Sequence, residues 1–273
     1  MRKIRSLRNV HKFALLVSAN GVARTWAFIR QKQRKDKTPV EMRFKGRKLW
    51  LRPGTPDLNV AYACFGGEFE VLRGAVPQGA LALIIDAGGY IGTAALALSE
   101  MFPNAKVVTI EPADSNFRSL TQNVAANTAI HPIHGCLVPR ATQGNLKLVD
   151  RKAGEWGYVV ATGEASDSDV VASLDPVTIA DILKMTNCDR VFILKMDIEG
   201  GEVDFLKNHM DWIDSVEQFF VELHPDMHPN VLALYQKATL HRIDIATVGE
   251  KCLSVSKPEP KARPESGRTS IGF

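Results

Sequence analysis

From residue 81 onward the chain alternates between apolar runs of strand length and stretches with helical spacing. "LALIID" (81–86) is continuously apolar up to its last residue, and "IGTAALALSEMF" carries apolar positions at i, i+3 and i+4. The pairing recurs as "AKVVTIEP" with "SNFRSLTQNVAAN", "RVFILKMD" with "GEVDFLKNH", and "VEQFFVELH" with "PNVLALYQKAT". A further strand is expected in "IHPIHGCLV", a helix in "TIADILKM", and a closing hairpin in "HRIDIATV" with "KCLSVS". Apolar strands separated by helices predict an α/β fold, a doubly wound, mostly parallel sheet covered on both faces. Upstream, "VEMRFKGRKLWLRPG" alternates about Gly46 and predicts a hairpin, and "TPDLNVAYACFGG" opens like a short helix. From about 140 to 175 the pattern weakens, with strands expected at "NLKLV" and "WGYVVA" and a polar loop at "TGEASDSD". The reading divides the chain into a basic arm and linker (1–40), a hairpin and helix cap (41–80), the α/β domain (81–256) and a disordered tail (257–273), too poor in apolar residues to order itself.

Charge sharpens this division. The net charge is +4, but residues 1–48 hold fifteen Lys/Arg against two acids, and the rest nineteen against twenty-eight. A basic arm on an acidic body suits an anionic surface. An amphipathic helix is expected from about residue 3 to 31, lying on a membrane face or packed on the body by its apolar stripe. The apolar run breaks at Asn20, Gly21 and Arg24, which argues against a cleaved signal, and no run is long enough to span a bilayer. Four cysteines without a CxxC pair read as reduced thiols, hence a cytoplasmic protein whose arm could reach the inner face of a membrane.

The candidate chemistry starts where the first strand surfaces, in "DAGGYIG" (86–92). Ligands of parallel α/β sheets bind beyond the carboxyl ends of the strands. Read as a degenerate G-x-G-x-x-G, with Glu111 nineteen residues past Gly92, the turn suits a dinucleotide. Read as D-x-G-x-x-x-G, with Asp86, Gly88 and Gly92, it suits S-adenosylmethionine. A pyrophosphate would be opposed by Asp86, whereas a cationic, phosphate-free ligand would be favoured by it. Gly88 and Gly92 would let backbone approach the ligand, and Glu111 would bond ribose hydroxyls in either case. No tyrosine has a lysine four positions later, so the Tyr-x-x-x-Lys pair of short-chain reductases is missing. Instead a second strand ends in carboxylates, "FILKMDIEGGEVDFL" (192–206).

Taken in order, "DAGGYIG", "TIEP", "LKMDIEGGE" and "VELH", preceded by "LRPGTPD", resemble the FkbM family of S-adenosylmethionine-dependent methyltransferases over roughly residues 49–247. The resemblance implies a class I methyltransferase-like, Rossmann-type fold and transfer of a methyl group to a hydroxyl of a sugar, glycolipid or secondary-metabolite acceptor. It implies a cofactor site of Asp86, Gly88, Tyr90, Gly92 and Glu111. Tyr90 stands where the family commonly has Asn.

An alcohol needs help losing its proton, so a base or a metal is required. Asp197 or His224 is the expected base, with Glu199 orienting the acceptor. The alternative for Glu199 and Glu202 is capping the following helix. A divalent metal held by Asp197, Glu199 and His224 is the less favoured reading, and no metal is assigned. Trp156 and Tyr158 are candidates for an aromatic wall against the acceptor, or core residues of a strand. Asp57 either contacts the acceptor or caps a helix. Two other classes stay open: a nucleic-acid methyltransferase, which the basic arm suggests, and a non-catalytic binding module. Nucleic acid is disfavoured as a partner by the acids of "MDIEGG".

Overall fold

The computed structural model describes residues 2–75, 81–141, 146–150, 158–161, 170–207 and 210–257. Helix α1 (Arg2–Gln33) is broken once, at Gly21, whose φ of 77° no helix accommodates. Leu16, Thr25 and Phe28 turn inward and are buried against a hairpin, β1 (Val40–Phe44) and β2 (Arg47–Leu51). Lys45 and Gly46 form the hairpin's two-residue turn, both at positive φ, as the strands' twist requires. A two-stranded sheet has two open edges. Each is closed by an asparagine that imitates a strand. Asn20 of α1 accepts from the Arg43 amide and donates to its carbonyl, and Asn123 does the same at Trp50. The interruption of the arm's apolar pattern at Asn20 and Gly21 is thus its anchor point. The arm is packed on the body, yet Val22 and Trp26 remain about 60% exposed. Among the described residues no helix is long and apolar enough to cross a membrane.

After α2 (Asp57–Ala63) the central sheet begins with β3 (Ala82–Ala87), every residue of which is buried. It alternates with helices through α3 (Thr93–Met101), β4 (Ala105–Glu111), α4 (Asp114–Val124) and β5 (Ile130–His134). Four short strands follow: β6 (Cys136–Val138), β7 (Leu146–Asp150), β8 (Tyr158–Ala161) and β9 (Val170–Leu174). Strands β7, β8 and β9 make a separate antiparallel sheet, ordered β8-β7-β9. Strand β9 falls where the weak pattern suggested no strand. Another such strand, β10 (Pro176–Thr178), pairs with β6 and leads into α5 (Ile179–Thr186), whose start is fixed by a Thr178–Asp181 capping box.

The second half adds β11 (Val191–Met196), α6 (Glu202–Lys207), β12 (Val216–Glu222), α7 (Val231–Ala238), β13 (Ile243–Val248) and β14 (Lys251–Val255). The seven-stranded order is β13-β14-β12-β11-β3-β4-β5. β14 runs antiparallel to both neighbours and lies between β12 and β13, so the closing hairpin is built into the sheet. The remaining pairs are parallel. The order reverses direction at β3 and β11, and the carboxyl ends of these two strands flank the crevice where α/β sheets bind ligands.

Candidate active site

Asp86 ends β3 fully buried, and the reason is a lysine. Lys195, in the otherwise apolar β11, sits beside it across the parallel ladder, its Nζ 3.1 Å from Asp86 Oδ1. Lys195 also donates to the Gly88 carbonyl at 2.8 Å, and Thr109 donates to Asp86 Oδ2 at 2.9 Å. Burial opposes the Lys195 charge, but Asp86 and Asp197 outweigh it and hold the ammonium above its ordinary pKa. Asp86 is thus the buried counter-ion of Lys195 at the floor of the turn. The glycines also act differently from expectation. A Cβ on Gly88 would lie 1.8 Å from the Asp197 carbonyl oxygen, and one on Gly92 2.8 Å from Val124. Both also have φ near +80°. Gly92 lets the start of α3 pack against Leu120 and Val124 of α4, while Gly88 lets β3's turn touch the end of β11 and lines the cleft.

A closed ring of polar contacts ties the cap to this turn. The Tyr90 hydroxyl donates to Asp57 Oδ1 at 2.7 Å, and Arg52 grips Asp57 with Nε at 3.0 Å and Nη2 at 2.9 Å. Arg52 Nη2 continues to Asn116, Asn116 donates to Glu111 Oε1 at 3.1 Å, and Glu111 Oε2 accepts from the Tyr90 amide at 2.8 Å. Asp57 is fully buried in this ring. It is the first residue of α2 rather than its N-cap, and no side chain caps that helix. Burial pushes Glu111 up to about 7, against the hydrogen bonds from Ala113, Asn116 and Tyr90.

The second cluster gathers at the ends of β11 and β12. His224 Nδ1 lies 3.1 Å from Glu202 Oε1, and its Nε2 lies 3.7 Å from Asp197 Oδ1 and 3.6 Å from Glu199 Oε2. Glu202 is fully buried, and its Oε1 also accepts from the Ile198 amide, so it closes the loop before α6. Burial disfavours the imidazolium, but the Glu202 hydrogen bond and the fields of Glu202, Asp197 and Glu199 prevail, raising His224 to about 9. With these three carboxylates around it the ring favours its protonated form near neutral pH. Glu199, raised to about 7 first by burial and then by Asp197, is half protonated there. These raised values share one sign for stability. The contributions of Glu111 and Glu199 are complete below about 4.5 and lost as pH climbs through about 7, and that of His224 is lost between about 6.5 and 9.

A cavity of about 300 Å³ joins the turn to this cluster. Six carboxylates line it (Glu68, Glu111, Asp197, Glu199, Asp204 and Glu222) against two lysines, Lys195 and Lys251. Lys251, from β14, is shared between Glu68 and Glu222. Pro112, Leu137 and Pro139 give the opposite wall an apolar surface. Asp197, Glu199, His224, Gly88, Tyr90 and Glu111 converge here, whereas Asp86, Gly92 and Asp57 do not line the cavity. Trp156 lies outside the described residues, and of Tyr158 only the backbone, paired with Asp150, is described. Sequence reasoning missed Lys195, Glu222 and Lys251. For Lys195 a signal existed, a charge inside an apolar strand; for the others only the sheet order brings them in.

The reversed β14 within an otherwise parallel seven-stranded sheet defines a class I methyltransferase fold, with its cleft in the usual crevice. The family model described as "Methyltransferase FkbM domain" matches residues 86–239, more than half of the chain, and the chain belongs to that family. It is 28% identical over 156 residues to "Methyltransferase 1" of Beauveria bassiana (strain ARSEF 2860), a match covering 49% of this chain and 62% of the relative. It is 26% identical over 156 residues to "Methyltransferase sdnD" of Sordaria araneosa, covering 45% and 59%. The match thus spans about three fifths of each relative's length. Among solved structures, Aeropyrum pernix fibrillarin with natively bound S-adenosyl-L-methionine is similar at 11% identity and a TM-score of 0.42, covering 80% of this chain and 82% of that one. That distant likeness bears on neither ligand nor chemistry here.

Proposed function

We propose that the chain transfers a methyl group from S-adenosylmethionine to a hydroxyl oxygen of a sugar, glycolipid or secondary-metabolite acceptor. The observation that carries the reading is the acid-rich cleft at the carboxyl ends of β3, β4, β11 and β12. Six carboxylates around one cavity favour a cationic donor and oppose a pyrophosphate or a nucleic-acid backbone. The attraction comes from Asp197, Glu199 and their neighbours, since the Asp86 charge is matched by Lys195. The cavity fits the donor in kind as well as charge: Glu111, buried with both oxygens at the end of β4, would take the ribose hydroxyls, and the wall of Pro112, Leu137 and Pro139 would cover the adenine. When bound, the donor supplies an electrophilic methyl on a positively charged sulfur. The chain's part is to align the acceptor oxygen with it and to receive a proton. The Asp197–Glu199 pair receives that proton, because His224 already holds one.

Calorimetry tests the cofactor half directly. S-adenosylhomocysteine is expected to bind more tightly as pH rises from 6 to 8 and then to level off. Below about 7 Glu111 must first lose a proton before accepting the hydroxyls. Glu111→Gln should weaken binding at pH 8 and flatten the profile. Heat with NADH and none with S-adenosylhomocysteine would refute the assignment.

The arm supports peripheral docking to an anionic lipid surface, which would bring the site to a membrane-linked acceptor. Val22 and Trp26 project from the same face of α1, four residues apart, with Arg24 and Arg30 also exposed. Removing α1 would uncover Leu16 and Phe28, so point changes are the cleaner probe. Val22→Ser with Trp26→Ser should lower partition into phosphatidylserine vesicles at least about tenfold without altering the thermal midpoint. Equal partition of wild-type and variant chains would dispose of the docking.

A further inference from the structure

We propose that Asp197, Glu199 and His224 form a binding site for one divalent cation of the magnesium or manganese type. The proposal begins with atoms that face one another without bonding. One ligand atom from each of the three lies within 4.8 Å of the others. His224 Nε2 is 3.7 Å from Asp197 Oδ1 and 3.6 Å from Glu199 Oε2, too far for hydrogen bonds. Adjacent donors of an octahedral ion, each about 2.1 Å from it, stand roughly 3 Å apart. The two carboxylates would therefore close on Nε2 by roughly 0.6–0.7 Å, within reach of side-chain rotation.

A second observation comes from behind the imidazole. Glu202 is fully buried, and its Oε1 holds His224 Nδ1 at 3.1 Å, which turns Nε2 toward the two carboxylates. A carboxylate on the far nitrogen is the usual partner of a metal-bound histidine, fixing its tautomer and orientation. The other oxygen, Glu202 Oε2, is enclosed without a hydrogen-bond partner among the described residues. Three carboxylates (Asp197, Glu199, Glu202) thus surround one imidazole. Lys195 is 3.9 Å from Asp197 and closer to Asp86. A buried carboxylate oxygen with no partner is costly, and a dication beside the imidazole would offset that charge.

The donor set argues for the kind of ion. Two carboxylates and one imidazole are hard or intermediate ligands, and no thiolate belongs to the cluster. Three ligands come from the described residues, so a six-coordinate ion would keep positions open, where an acceptor's hydroxyl oxygen would complete them. An ion held there would acidify a hydroxyl bound to it and so ease loss of the proton that the proposed methyl transfer requires. That role rests on the proposed methyl transfer; binding of the ion does not.

Titrating the full chain with Mn²⁺, and following the resonance signal of the free aqua ion, decides the matter. One ion per chain is expected at micromolar affinity. His224→Ala should weaken it at least tenfold, and Glu202→Gln, which leaves all three ligands in place, by about ten- to a hundredfold. S-adenosylhomocysteine binding, measured on the same samples, reports that each variant is folded. If His224→Ala loses it, Glu199→Gln takes its place. A free-ion signal unchanged by the wild-type chain up to millimolar Mn²⁺, or equal binding by folded ligand variants, overturns the site. Mn²⁺ bound as expected without any S-adenosylhomocysteine binding would instead count against the methyl transfer alone.

Discussion

Asp57→Asn is expected to lower the unfolding free energy by about 3–5 kcal/mol, read from urea denaturation, because it strands Arg52 as an uncompensated buried charge. Both partners are at most 5% exposed, so water cannot take over the lost contacts. The loss should propagate. Tyr90 holds its left-handed φ of 49° between Asp57 at its hydroxyl and Glu111 at its amide. With Asp57 neutral, the turn is less firmly set and S-adenosylhomocysteine affinity should fall as well. Removing both charges by Arg52→Met with Asp57→Leu should cost clearly less than the sum of the single changes. Strict additivity would mean that the two side chains are not coupled.

The other large effect concerns turnover. Asp197→Asn is expected to reduce methyl transfer by about 10²- to 10⁴-fold, the range of a lost acid–base group, while S-adenosylhomocysteine affinity changes only a few-fold. The substitution keeps the shape of the side chain and the backbone carbonyl against which Gly88 packs. An acceptor methylated at the wild-type rate by this variant would remove Asp197 from the chemistry. Measurement needs an identified acceptor, for which a transfer screen over hydroxylated glycans and lipids, read by mass spectrometry, is the route.

Much of the architecture was legible because burial on two faces leaves a strong trace. β3 and β11 read as apolar runs since both sides of the sheet are covered, and each is buried throughout. β10 escaped notice because three residues carry no readable period, and β9, "VVASL", because a short apolar run between polar segments does not by itself declare a strand. The site was harder to read for a different reason. "DAGGYIG" and "MDIEGGE" mark the correct strand ends, but sequence does not say which carboxylate is neutralised. Asp86 and Asp57 looked available and are both consumed by buried cations, Lys195 and Arg52. Lys195 lies on a different strand from Asp86, and although Arg52 stands five residues before Asp57 in "LRPGTPD", nothing in the pattern marks the two as a pair. Glu202 was weighed as a helix cap; its side chain instead accepts from the Ile198 amide in the preceding loop, and its contact to His224 was not foreseen.

The position of β14 bears on how the molecule is made. Its residues 251–255 separate β13 from β12, so β13 has no neighbour in the main sheet until they arrive. A nascent polypeptide stalled a few codons earlier would leave the open edge of β12 exposed, and with it an apolar flank prone to clumping. Completion of the seven-stranded sheet must therefore wait until residues 251–255 have left the ribosome.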